Sequence, residues 1–202
     1  MFKGVSKRLL SVWPSPILVL SATLVLSAIL VCCPPAIAEE ENNQELLSLL
    51  KQTIEQSDSF EDRFDAEVWL MSKSGQLKRY IKNDKKRLNL LKKIHRAATR
   101  AQLSPEIVLA VIQIESRFDP YALSRVGARG MMQVMPFWKN EIGRPDDNLM
   151  DIDTNLRYGC TILKYYLDKE KGHLTNALAR YNGSYGKYWY PEKVLVAWEY
   201  WR

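Results

Sequence analysis

Apolar residues recur at helical intervals along most of this chain. Within residues 45–54 they stand at Leu46, Leu47, Leu49, Leu50 and Ile54, the spacing of a helix with one buried face. After a polar break at Ser57-Asp58-Ser59, the residues Phe60, Phe64, Val68 and Met71 follow at intervals of four, four and three and define the stripe of a second helix. Gly75 predicts a turn. From Leu77 to Ala101 the helical pattern resumes through Ile81, Leu88, Leu91, Ile94, Ala98 and Ala101, with Lys and Arg between them.

Ser104-Pro105-Glu106 is a helix start: Ser is a good N-cap, Pro is tolerated at the first helical position, and an early Glu suits the positive helix end. The segment that follows, Ile107 to Ile114, is apolar on nearly all sides, which predicts the buried central helix of the domain, stopped at Asp119-Pro120. Gly127 and Gly130 bracket a tight loop, and Met131 to Met135 reads as a short helix ending at Pro136. Beyond a loop at 143–153, Leu156, Cys160, Leu163, Tyr166 and Leu167 predict a helix that ends at Lys171-Gly172. A short helix over 174–179 delivers Tyr181-Asn182, and residues 194–201 form a last amphipathic helix. The fold class expected is mostly α.

Composition changes the picture at the N-terminal end. Lys3, Lys7 and Arg8 precede an apolar run of 17 residues, Ile17 to Cys33, and Pro34-Pro35-Ala36-Ile37-Ala38 closes on an A-x-A pattern. This reads as a secretory signal peptide over residues 1–38; the alternative is an uncleaved signal anchor in the inner membrane, since 17 residues is the short limit for a span. Either way the domain is exported to the periplasm. A lipid anchor at Cys32 or Cys33 is disfavoured, because Val31 stands where a small residue is wanted. Beyond residue 38 the chain carries 26 cations against 23 acids, a net +3, concentrated between Lys73 and Arg100. That mild excess fits either a solvated helix face or attraction to an anionic cell envelope, and export speaks against nucleic acid as partner. Cys160 is the one cysteine after residue 38 and is expected as a buried, inert thiol. His95 and His173 have no metal-like company, so no metal and no cofactor are expected.

The chemistry concentrates between Glu115 and Pro136, which reads E-S-R-F-D-P-Y-A-L-S-R-V-G-A-R-G-M-M-Q-V-M-P. A carboxyl at the end of a buried apolar helix loses hydration, which disfavours its charged form and makes Glu115 a candidate general acid. The stretch resembles the goose-lysozyme-like catalytic domain of soluble lytic transglycosylases. The E-S pair, P-x-A-x-S and G-A-x-G-[LM]-M-Q-x-M-P fall in register at Glu115, Ser116, Pro120, Ala122, Ser124, Gly127, Ala128, Gly130, Met132, Gln133, Met135 and Pro136, twelve positions within 22 residues. Asn155 and Gly159 resemble a further signature, D-P-x-x-N-[IL]-x-x-G, with Ile152 where the family often has Pro. Tyr181-Asn182 resembles A-Y-N-A-G, with Gly183-Ser184 in place of Ala-Gly and Arg180 in place of a small residue.

The resemblance covers the C-terminal half and implies a lysozyme-like α-helical domain over 103–202; the helical periodicity before it predicts a helical N-terminal extension over 39–102. It implies Glu115 as the catalytic acid, with Ser124, Gln133, Met135, Tyr181 and Asn182 binding substrate. The Tyr181 hydroxyl either faces the Glu and orients it or is satisfied within the core. Met131 and Met132 are assigned to the core. The implied substrate is the glycan strand of peptidoglycan, the β-1,4 bond between N-acetylmuramic acid and N-acetylglucosamine being cut without water to leave 1,6-anhydromuramic acid. The chain is expected as a monomer, with envelope or secretion-machine proteins as further candidate partners. A lysozyme-type hydrolase would need a second carboxylate, for which Glu141, Asp146, Asp147 and Asp151 are the loop candidates. A non-catalytic wall-binding protein is the reading from another class.

Overall fold

The computed structural model describes residues 47–55, 58–60 and 62–202. The signal segment expected at 1–38 and the start of the first predicted helix lie outside these residues. The described chain is helical: α1 (47–55), α2 (Arg63–Leu77), α3 (Asp84–Arg100), α4 (Pro105–Glu115), α5 (Trp138–Ile142), α6 (Ile152–Lys169), α7 (Leu174–Tyr181) and α8 (Trp189–Trp201). Among the described residues no helix is long and apolar enough to cross a membrane.

α4 is the central helix, as its composition predicts. Ile107 through Ile112 are all buried, and the large side chains among them each contribute about 1.5–3 kcal/mol by leaving water. Ser104 occupies the N-cap, but its hydroxyl donates to Glu106 Oε2 (2.6 Å) instead of accepting from the helix. The helix ends at Glu115, earlier than Asp119-Pro120, because Arg117 and Phe118 take left-handed backbone at φ 55° and 68°. Non-glycine residues adopt that region only where tertiary contacts compensate. Phe118 is buried between Tyr80 and Trp201, which supplies them.

α2 forms where the stripe predicted it but faces the other way. Phe64, Val68 and Met71 are 71%, 52% and 49% exposed, and the buried side is Ala66, Leu70, Lys73, Ser74 and Leu77. The small Ala66 and Ser74 admit close packing, and Lys73 is turned inward because its ammonium donates to the carbonyls of Trp201 and Arg202 at the end of α8. A cation there satisfies carbonyls that have no partner within the helix. Gly75 lies inside α2, not at a turn. The break comes over 78–83, so Ile81 is not helical. Asn83 caps α3 by accepting from the Lys86 N–H (2.8 Å), and the buried Arg87 holds the connection by donating to the carbonyls of Ile81 (3.0 Å) and Lys82 (2.7 Å).

Residues 131–135 are a turn, not a helix, since Gly130 and Gln133 have φ 73° and 48°. The loop from 122 to 134 is closed by antiparallel bridges between Leu123 and Arg129 and between Arg129 and Val134. The buried Asn155 of α6 pins it: its Nδ2 donates to Arg129 O (2.8 Å) and Leu149 O (2.9 Å), and its Oδ1 accepts from Met132 N–H (2.8 Å). At Gly130 a Cβ would stand 2.5 Å from Asn155 Nδ2, and at Gly159 one would stand 2.3 Å from Met132 Sδ. Those clashes are why the loop and α6 need glycine at both places.

Candidate active site

Glu115 sits at the C-terminal end of α4, against α8, the helix that α4 packs on most closely. Burial pushes its carboxyl from 4.5 up to about 7, opposed by a hydrogen bond from Tyr190. The Tyr190 hydroxyl donates to Glu115 Oε1 over 2.6 Å. Tyr190 is itself buried, and burial followed by the nearby Glu115 charge raises its hydroxyl well above the ordinary tyrosine range. A carboxyl titrating near neutrality, with one oxygen oriented, can give a proton to a leaving oxygen and later take one back.

Tyr181, the last residue of α7, lies close enough for the Glu115 charge to reinforce the upward push that burial gives its hydroxyl. Its hydroxyl donates to Met132 O (2.7 Å), not to Glu115. The tyrosine hydroxyl that reaches Glu115 is therefore that of Tyr190, and Tyr181 is satisfied within the fold, tying α7 to the loop. Sequence reasoning grouped Tyr190 with an aromatic cluster and missed this role. The available signal was its spacing of four from Val194, which puts both on the buried face of α8.

The remaining expected site residues are placed as follows. Ser124 Oγ accepts from the Ala128 N–H (2.9 Å), and its backbone N–H donates to Ala128 O (3.0 Å), so the serine staples its own loop. Gln133 donates through Nε2 to Ala122 O (3.1 Å) and Gly130 O (2.9 Å), which leaves the acceptor end of its amide unspent among the described residues. Met135 is half-buried after the loop, whereas Met131 and Met132 are in the core. Asn182 caps the end of α7, half-buried.

Two of the four candidate second carboxylates have structural work. Asp147 accepts from the Tyr158 hydroxyl (2.5 Å) and from Arg157 (2.9 Å), and these partners hold its carboxyl below the usual range. Asp151 caps α6 by accepting from the Thr154 N–H (2.9 Å), which lowers its carboxyl likewise. Among the described residues no group of three His, Cys, Asp or Glu could hold a metal ion. His95 is packed between Phe60 (3.6 Å, stacked) and Trp69 (5.0 Å, edge-on). Cys160 is buried, which pushes its thiol up to about 12 and leaves it unreactive.

Comparison with known proteins gives one family and a set of relatives. Residues 92–193 match the model of the transglycosylase SLT domain. The membrane-bound lytic murein transglycosylase C of Photorhabdus laumondii subsp. laumondii is 32% identical over 119 residues, covering 51% of this chain and 33% of the relative. The protein of the same name from Yersinia pestis is 31% identical over 119 residues, with the same coverage. The chain thus spans about a third of the length of the curated relatives it matches.

Proposed function

The chain belongs to the transglycosylase SLT domain family, and we propose that it is a peptidoglycan lytic transglycosylase that works through Glu115. The observation that carries this is the half-buried Glu115 carboxyl, pushed up to about 7 and held by Tyr190, which below that pH is a protonated acid ready to donate.

In the proposed reaction Glu115 protonates the oxygen linking N-acetylmuramic acid to N-acetylglucosamine, and the C1–O bond breaks. In this reading the N-acetyl carbonyl of the muramic acid, and not a second carboxylate, stabilises C1, a recognised exception to the two-carboxylate rule. The C6 hydroxyl of the same sugar then attacks C1 and gives its proton to Glu115. A 1,6-anhydro end forms and the acid is regenerated without water. Gln133, Met135, Tyr181 and Asn182 would line the cleft, with Ser124 shaping it from its loop. The structural engagement of Asp147 and Asp151 removes two of the four loop carboxylates that a hydrolase would draw on.

We place the reaction in the periplasm, with residues 1–38 as the export segment, residues 39–102 as an extension and 103–202 as the catalytic domain of a monomer. The test is mass spectrometry of the muropeptides released from sacculi, with Glu115→Gln alongside. Anhydromuramic ends that vanish in the variant are the expected result. Reducing ends, heavier by one water, would assign a hydrolase, and no release would leave a wall-binding protein.

A further inference from the structure

Immediately after the proposed cleft residues the chain builds a second surface between α5 and α6. Phe137 and Trp138 on one side face Tyr165 and Tyr166 on the other, around a groove of ≈ 460 Å³. That volume lies within the roughly 300–1,000 Å³ of small-ligand sites. The rings form a run: Phe137 to Trp138 at 5.1 Å, Trp138 edge-on to Tyr166 at 6.3 Å, and Tyr166 to Tyr165 at 5.2 Å. Trp138 and Tyr166 back onto the core, but Phe137 and Tyr165 remain 54% and 51% exposed, more than core packing explains.

The rim is polar and uncommitted. Among the described residues, no side-chain hydrogen bond or ion pair engages the Glu141 carboxylate or the hydroxyls of Tyr165 and Tyr166, and the Lys169 ammonium lies 5.6 Å over the Tyr165 ring. Exposed aromatic surface at Phe137 and Tyr165, with hydroxyl and carboxylate groups beside it and the Lys169 ammonium over one face of Tyr165, matches a pyranose, whose C–H face is apolar and whose equatorial substituents are polar. An apolar peptide or helix would leave those edge groups without partners. Phe137 follows Met135-Pro136 directly, so the groove opens two residues along the chain from a proposed cleft residue.

We propose that the α5–α6 groove is a remote subsite for N-acetylated amino sugars of the glycan strand, gripping the polymer beyond the bond that Glu115 attacks. This rests on the functional reading above, and its test is chosen to separate the two. Full-length protein carrying Glu115→Gln, with labelled aromatic side chains, is titrated with chitohexaose and followed by NMR. The expected result is saturable movement of the Phe137, Trp138, Tyr165 and Tyr166 resonances. Combining Phe137→Ala with Tyr165→Ala should weaken that binding roughly 10-fold or more, the scale of removing two aromatic anchors, while the thermal melt shows that the exposed substitutions leave the fold intact. Rings that stay still, or rings that move with a soluble wall stem pentapeptide and not with the sugar, would overturn the subsite. Sacculus digestion by the unsubstituted protein, run in parallel, reports on Glu115 alone: normal release with motionless rings removes the subsite and keeps the function, and moving rings without release do the reverse.

Discussion

The Tyr190 hydroxyl and the Glu115 carboxylate are joined by a 2.6 Å hydrogen bond between residues 75 positions apart, one opening α8 and the other closing α4. Two forces on Glu115 oppose each other there. Burial favours the neutral acid and the tyrosine favours the carboxylate, and burial wins, leaving the group near 7.

Glu115→Gln removes the ionisable group and keeps the shape. Turnover should fall by ~10²- to 10⁴-fold, the scale of general acid catalysis. Stability should move the other way. The folded chain holds the Glu115 proton more tightly than the unfolded chain, so this group's contribution is complete below pH 4.5 and is lost as pH rises through 7. At pH 8 the variant should therefore be more stable than the parent by on the order of 3 kcal/mol, with the gap closing by pH 5. Melts at both pH values check this, and equal differences at the two would refute the assignment of a buried acid.

Tyr190→Phe deletes the one force that lowers the Glu115 pKa. The alkaline limb of the pH–rate profile, where the acid loses its proton, should move to higher pH. The lost hydrogen bond should cost about 0.5–1.5 kcal/mol of stability. A limb that stays in place, or moves to lower pH, would mean that the tyrosine does not act on the acid.

Gly159→Ala tests the seat of the loop. In an open helix the change would gain roughly 0.5–1 kcal/mol, since glycine has the larger entropy to lose. Here the new methyl would meet Met132 Sδ at 2.3 Å and Met132 Cβ at 2.6 Å, so overpacking of about 1–3 kcal/mol should prevail. Met132→Ala introduced with it should recover part of the loss, giving a non-additive cycle by denaturant titration. Additive losses would show that the two residues do not share the contact.

His95 offers an acid-side control. Burial lowers its imidazole from 6.5 to about 4, the Glu106 carboxylate pulling weakly the other way. The folded chain therefore resists protonation that the unfolded chain accepts, and stability should fall as pH drops from 6.5 toward 4. The loss should amount to about 1–3 kcal/mol and should flatten in His95→Gln. An unchanged slope in that variant would remove His95 as the cause.

Much of this architecture was legible in the chain itself. The mostly helical class, the buried α4 with its terminal Glu115, the core assignment of Met131 and Met132 and the helix stop at Lys171-Gly172 follow from periodicity, apolar runs and left-handed glycines. These are local signals, set by neighbours within a few residues. The face that a helix buries is not local. Phe64, Val68 and Met71 make a stripe as regular as any buried one, yet α2 turns Ala66, Leu70, Lys73 and Ser74 inward, where Lys73 donates to the last carbonyls of α8 and the Ser74 hydroxyl accepts from Arg87 of α3. Residues 131–135 miss their helix because Asn155, more than twenty positions later, accepts from the Met132 N–H and donates to the carbonyl of Arg129. The site divides the same way. A carboxyl at the end of an apolar run can be read from the chain, but which tyrosine reaches it depends on how α7 and α8 return to α4. That pairing is decided by packing over long separations in sequence, where only the folded chain brings the partners within hydrogen-bonding distance.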